Sequence, residues 1–379
     1  MSALLHHGGR LRAAAVRYGI PLSDWLDLST GVNPQVYPVP PVPVEAWRRL
    51  PEEEDGLEHA ARAYYGADFL LPVAGSQAAI QALPRLRPPC RVGVLVPAYA
   101  EHAHAWRQAG HEVIALEVGW NVRQRIPANG RACWDSLGSS QPTEEGFGTP
   151  FVAQRTMPTL PEGEGAKREE ATARDHELDV LIVVNPNNPT GRLISPEVLL
   201  AWHERLAARG GWLVVDEAFM DATPDYSLAA HAGRPGLIVL RSVGKYFGLA
   251  GARAGFVLAE ADLLDRMAAL LGPWALAGPS RWAVQAALTD RTWQDAMRPR
   301  LTASSARLAE LLGASGLPSA GGTALFQYCP TPEAVRFHDH LARQGIWVRR
   351  FDQPAALRFG LPGEASQWHR LVEALNNRA

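Results

Sequence analysis

Three short apolar runs, each stopped by polar residues, constrain this chain more than any other feature. Residues 180–184 run into Asn185-Pro186-Asn187-Asn188-Pro189-Thr190-Gly191, residues 212–215 into Asp216-Glu217-Ala218-Phe219, and residues 237–240 into Arg241-Ser242-Val243-Gly244-Lys245. Runs this short and this apolar read as strands covered on both faces. From Asn188 to Asp216 is 28 residues, and from Asp216 to Lys245 is 29. Each gap suits one strand–helix–strand unit, so three polar strand ends would meet on one edge of a mostly parallel sheet.

The rest of the chain fits that α/β frame. The spacing predicts helices over 10–18, 56–65, 76–83 and 196–209, the last opened by Ser195 as N-cap with Pro196 in its first turn. It predicts strands over 91–96, 112–117 and 256–258. A long helix over 281–312 leads into a smaller α+β segment with strands at 324–328, 347–351 and 357–359, a helix over 332–344 and a final helix. We expect an N-terminal arm (1–45), a large α/β domain (46–262) and a smaller C-terminal domain (263–379). The arm carries Pro34, Pro38, Pro40, Pro41 and Pro43, which favour extended backbone. Residues 121–178 hold clusters of Gly, Pro, Ser, Thr and Glu with little periodicity, and read as a flexible insertion.

Composition excludes several classes. The 37 basic residues are outnumbered by 39 acidic ones, so no positive excess is available to neutralise nucleic-acid phosphates. The three cysteines, Cys90, Cys133 and Cys329, are widely spaced, which excludes a disulfide framework or a CxxC metal site and suits a reducing cytoplasm. No apolar run is long enough to cross a membrane, since 267–278 is short and broken by Pro273. The arginines at 10, 12 and 17 resemble a transit peptide only faintly, and a short amphipathic helix accounts for them. No G-x-G-x-x-G follows an early strand, which counts against a nicotinamide-dependent dehydrogenase.

Taken singly, the strand ends have ordinary explanations. The Asn-Pro segment is a rigid turn, Asp216 an acid near a helix start, and Lys245 a snorkelling lysine. Taken together they can do chemistry. A lysine among Gly, Tyr, Phe, Leu and Ala loses part of its charge to desolvation, and its neutral amine is a nucleophile toward a carbonyl.

The joint pattern of N-P-x-N-P-T-G, D-E-A-F and S-x-x-K-x-x-G-L-A-G-x-R-x-G resembles the fold type I pyridoxal-phosphate enzymes, the aminotransferase class I and II superfamily, over about residues 25–375. That resemblance implies a large domain with a mostly parallel sheet, a smaller C-terminal domain, pyridoxal 5'-phosphate as cofactor and a homodimer. Lys245 would hold the cofactor's aldehyde carbon and afterwards act as acid and base. Asp216 would pair with the ring nitrogen, Asn188 with the phenolic oxygen, and Tyr99 would stack on the ring. Gly75, Ser76, Ser242 and Arg253 would hold the cofactor phosphate, and Arg358 the substrate carboxylate. The sequence departs from the pattern at Phe219, where many relatives have tyrosine, at Gly244, often serine, and at Leu50, often tyrosine.

A narrower likeness lies in His7-Gly8-Gly9, in the segment from Trp25 to Pro34, and in Leu71-Pro72-Val73-Ala74-Gly75-Ser76-Gln77. These resemble the threonine-phosphate decarboxylases of cobalamin biosynthesis. The implied reaction converts L-threonine O-3-phosphate to (R)-1-amino-2-propanol O-2-phosphate, and the implied partner is a small phosphorylated amino acid. Arg349, Asn33 and His7 are candidates for further substrate contacts. Two alternatives stay open: an aminotransferase of the histidinol-phosphate type, and a catalytically silent binding protein with the same fold.

Overall fold

The computed structural model describes residues 8–117 and 178–377. The insertion read from 121–178 lies outside the described residues except for Leu178, which is buried.

The chain begins with α1 (Leu11–Tyr18), β1 (Leu26–Leu28), the single turn α2 (Glu45–Arg48) and α3 (Leu57–Tyr65). It continues through β2 (Leu70–Val73), α4 (Ser76–Ala82), β3 (Arg91–Val96), α5 (Ala100–Gln108) and β4 (Glu112–Glu117). Next come β5 (Val180–Val184), α6 (Pro196–Ala207), β6 (Trp212–Asp216), β7 (Leu237–Ser242), α7 (Val243–Tyr246), β8 (Gly255–Leu258) and α8 (Ala261–Leu271). The C-terminal part comprises α9 (Gly278–Thr289), α10 (Arg291–Ala314), β9 (Gly321–Thr323), β10 (Phe326–Pro330), α11 (Ala334–Arg343), β11 (Ile346–Asp352), β12 (Ala355–Gly360) and α12 (Ala365–Asn376).

The larger sheet has seven strands in the order β2-β8-β7-β6-β5-β3-β4. From β7 to β4 every pairing is parallel, while β8 runs antiparallel to both its neighbours. Side chains of the central strands alternate between two cores. Leu181, Val183, Leu213, Val215, Leu237 and Val239 pack on one face, and Val180, Ile182, Trp212, Val214, Ile238 and Leu240 on the other. That alternation explains why these runs are apolar at every position. Because β5, β6 and β7 are parallel, their C-terminal ends fall on one edge, as the spacing predicts.

The smaller sheet has the order β1-β11-β12-β10-β9, with β1 parallel to β11. A strand from near the N-terminus therefore pairs with one from the C-terminal part, with Asp27 opposite Trp347.

Several boundaries differ from the sequence reading. The helix expected over 281–312 is two helices. Asp290 breaks it, because its carboxylate accepts the Trp293 N–H at 2.9 Å and caps α10. Ser195 precedes α6 as expected, but its side chain makes no capping bond. Strand β2 was not anticipated because Pro72 sits inside it. As the edge strand of its sheet, it tolerates the missing donor. Helices α5 and α8 were also not anticipated. In α5 the polar His102 lies on the buried face beside Trp106, which hides the apolar period.

Candidate active site

Lys245 lies in α7, one turn of helix opened at the end of β7. Residues 33–37 strap across it: Asn33 N–H donates to the Lys245 carbonyl at 2.9 Å and Tyr37 N–H to the Phe247 carbonyl at 2.9 Å. The half-buried ammonium sits 5.7 Å from the centre of the Phe219 ring. Burial, reinforced by the nearby Arg358 cation, pulls its pKa down to about 8, while the Asp216 carboxylate pulls the other way.

Asp216 closes β6 and is buried. One oxygen pairs with His102 Nε2 at 2.8 Å, and the other accepts the Ala218 N–H at 3.0 Å. His102, also buried, comes from the first turn of α5, three residues after Tyr99. Sequence reasoning missed His102. The available signal was its place three residues after Tyr99: Tyr99 stands just before α5 and His102 in its first turn, with their rings 6.2 Å apart. The Tyr99 hydroxyl donates to Gln77 Oε1 at 3.2 Å, and burial raises its pKa to about 12.

Asn188 follows β5, and its side-chain oxygen accepts from Arg358 Nη1. Arg358, on β12, also donates from Nη2 to the Ser29 carbonyl at 3.0 Å and lies over the Phe326 ring at 4.9 Å. Its Nε is buried with no partner among the described residues. Burial, with the Arg349 cation adding to it, lowers the Arg358 pKa to about 9. Arg349 is directly opposite Arg358 in the β11–β12 register.

A fourth group gathers where β7, β8 and α4 meet. Ser242 pairs with Gly255 in the sheet. A Cβ on Gly255 would lie 2.7 Å from the Ser76 N atom, so the strand and the start of α4 are in backbone contact. Gly75 has φ 75° and ψ 158°, open only to glycine, and a Cβ there would lie 2.8 Å from Arg253 Nη2. Arg253 itself is anchored by Nη1 to the Ala250 carbonyl at 3.2 Å.

The structure thus brings Gly75, Ser76, Ser242 and Arg253 together at one point. It brings Asp216, Lys245, Asn188 and Arg358 together at another, with Tyr99 beside Asp216 through His102. Asn33 is buried, its amide donates to the Tyr246 carbonyl at 2.8 Å, and its oxygen accepts the Gln35 N–H at 2.8 Å. Those bonds hold the strap on the lysine segment and leave one amide N–H to donate. His7 lies outside the described residues. Among the departures, Gly244 has a steric reason: a Cβ would lie 3.0 Å from the Ala250 Cα. Phe219 is packed edge-on against Phe326 at 5.2 Å, and Leu50 is exposed.

Residues 164–375 match the model of the family described as aminotransferase class I and II. The chain belongs to that family. Over 98% of its length it is 54% identical to the threonine-phosphate decarboxylase of Pseudomonas aeruginosa, covering 97% of that protein. A threonine-phosphate decarboxylase from a Sinorhizobium species is 38% identical, over 99% of this chain and 98% of that one. In fold, the chain is similar to the histidinol-phosphate aminotransferase of Sinorhizobium meliloti, solved in complex with pyridoxal-5'-phosphate. The TM-score is 0.72 at 17% identity, covering 100% of this chain and 96% of that one. The expected α/β architecture of this family is therefore the observed one.

Proposed function

We propose that this chain is a pyridoxal-phosphate-dependent decarboxylase acting on L-threonine O-3-phosphate, yielding 1-amino-2-propanol O-2-phosphate for cobalamin biosynthesis. The near-full-length likeness to two threonine-phosphate decarboxylases supports the reading. The observation in the molecule that carries it is the cross-strand pair Arg349 and Arg358. The Arg349 cation acts unfavourably on Arg358, and an elongated substrate with an anion at each end would relieve that repulsion.

The residues present fit the cofactor. The buried, unpartnered Nε of Arg358, the left-handed backbone at Gly75 with Arg253 over it, and a lysine with lowered pKa form a donor set for a phosphorylated pyridine aldehyde and a carboxylate. Backbone N–H groups around Ser76, with Ser242 and Arg253, would take the cofactor phosphate. Asp216, oriented by His102 and Ala218, would pair with the ring nitrogen. Asn188, its oxygen already held by Arg358, keeps its amide hydrogens to donate to the phenolic oxygen. Tyr99 would cover one ring face. When bound, the cofactor acts as an electron sink for the bond broken at the substrate Cα.

The chain supplies the rest. The Lys245 amine would hold the cofactor through its aldehyde carbon, and as a base of lowered pKa it would hold and return a proton at the substrate Cα. Arg358 would hold the carboxylate, and its setting decides which bond at Cα lies across the ring.

The partner subunit in this reading is a second copy of the chain. Val44, Trp47, Leu50 and Trp274 are all exposed. The segment carrying the first three is seated on the start of α9, where a Cβ on Gly278 would lie 2.3 Å from the Ala46 carbonyl. Apolar residues exposed this close together suit an interface. Among the described residues no helix is long and apolar enough to cross a membrane. The cytoplasmic reading rests on the free thiols of Cys90 and Cys329.

The test is a product assay. Reconstituted protein given threonine phosphate is expected to release CO2 and the amino-alcohol phosphate in equal amounts without any 2-oxo acid. A strict requirement for 2-oxoglutarate, with the carboxylate retained in the product, would make the chain an aminotransferase.

A further inference from the structure

We propose that Arg10 is a specificity-determining residue, the cation that receives the distal phosphate of the substrate. The proposal rests on the substrate being an amino-acid phosphate, as read above. The arm is fixed just before α1 by contacts on both sides of Gly9. Gly9 donates its N–H to Ser29 Oγ at 2.7 Å and accepts the Trp347 indole N–H at 2.8 Å. The Ser29 hydroxyl is aligned in turn by the Asp27 carboxylate at 2.6 Å. At Gly8 a Cβ would sit 2.4 Å from the Ser29 carbonyl, so the arm lies directly on that backbone.

Both anchors adjoin the arginine pair. The Ser29 carbonyl accepts from Arg358. Trp347 and Arg349 are two residues apart on β11, so their side chains stand on the same face of the strand. The residue that follows Gly9 is therefore delivered beside Arg349. Its charge acts there: after burial, the Arg10 cation is the largest influence lowering the Arg349 pKa.

Arg10 also has φ 61° and ψ 31°, a left-handed conformation uncommon for a residue with a side chain. Its side chain makes no capping bond to α1 and is exposed, so it serves neither helix nor core. Arg10, Arg349 and Arg358 together place three positive charges in one site. A carboxylate with one negative charge and a phosphate with about two would match them. We assign Arg358 to the carboxylate and Arg10, with Arg349, to the phosphate.

The test compares holoenzyme with wild-type sequence, Arg10→Gly and Arg10→Lys. Glycine removes the guanidinium and also relieves the left-handed backbone, so a loss in that variant is not a folding defect. Kinetics with threonine phosphate are read beside calorimetric binding of inorganic phosphate and the cofactor absorption band. In Arg10→Gly the KM is expected to rise about tenfold or more, with kcat within about twofold, as for loss of a charge-assisted contact to a ground-state anion. Phosphate binding should weaken in parallel, Arg10→Lys should fall between, and the absorption band should stay put. Unchanged KM and unchanged phosphate binding in a wild type that turns over threonine phosphate would overturn the proposal alone. A wild type that shows no turnover, but loses phosphate affinity with Arg10→Gly, would overturn the substrate reading and leave the anion site standing.

Discussion

Arg349 and Arg358 face each other directly across β11 and β12, and Arg358 reaches from there to the Asn188 oxygen and the Ser29 carbonyl. One guanidinium is thereby tied to the β5 edge of the large sheet, to the strand-end of β1 and to a second cation. With Arg358 in its proposed role, the arrangement would join the position of a bound carboxylate to the position of Asn188.

Replacing Arg358 should therefore do more than weaken substrate binding. Arg358→Lys keeps the charge but loses the planar fork, and one ammonium cannot reproduce both contacts and still clamp a carboxylate. We expect KM to rise about tenfold to a hundredfold, from the ~1.5–3 kcal/mol of a charged hydrogen bond. The cofactor absorption maximum should also move as Asn188 loses its partner. Steady-state kinetics and a spectrum of the same sample check both.

The lowered pKa of Lys245 has a direct pH consequence. Apo-protein should take up pyridoxal phosphate faster as pH rises, with a midpoint near pH 8, because only the neutral amine attacks. An ordinary lysine in the unfolded chain has a pKa of 10.5, so between about 8 and 10.5 the unfolded state holds the extra proton. The cost of burying Lys245 is greatest below that window and fades through it. Relative to Lys245→Met, apo-protein should gain stability as pH rises from 8 to 10.5. Arg358→Met removes a repelling cation and should raise the uptake midpoint, which rapid-mixing absorbance measures.

His102→Phe tests the support beneath Asp216, the proposed partner of the ring nitrogen. The substitution keeps an aromatic ring in α5 but removes the 2.8 Å bond to Asp216. A buried carboxylate that loses one of its two donors is less well held, and we expect cofactor affinity to fall about tenfold. Asp216→Ala should fall further and lose most turnover. Equilibrium dialysis of the cofactor separates the two.

The stability of the strand ends depends on a buried ion cluster behind them. Arg241 donates to Glu217 and Asp221 at 2.6 Å each, and its guanidinium lies over the Tyr65 ring at 4.6 Å. Arg241→Met leaves two buried carboxylates without their cation and should cost about 3–5 kcal/mol. The denaturation midpoint should fall accordingly, and holoenzyme should lose cofactor before the bulk transition.

Much of this architecture could be read from residue order alone. The runs ending at Asn188, Asp216 and Lys245 are apolar throughout because both faces of their sheet are covered, and an unbroken apolar run needs no partner to be recognised. Gly75-Ser76 and Arg253 were reachable through the resemblance. Other features depend on neighbours far along the chain. His102 reads as one more polar residue in a weakly periodic helix until Asp216 is placed against it. Asn33 gives no sign in the sequence that its amide also ties the strap to the Tyr246 carbonyl. Arg10 has no sequence signal, because its role comes from Gly9 being pinned by Ser29 and Trp347. Short-range pattern encodes the strands, and long-range contact decides which polar side chains are already spent.

The measurement closest to the centre of this account is reduction of the pyridoxal-phosphate-loaded protein with borohydride, followed by peptide mapping. The modification is expected on Lys245 alone, with the yellow colour lost in proportion to labelling, and no label in Lys245→Ala. A colourless reconstituted protein, or label on another lysine, would contradict it.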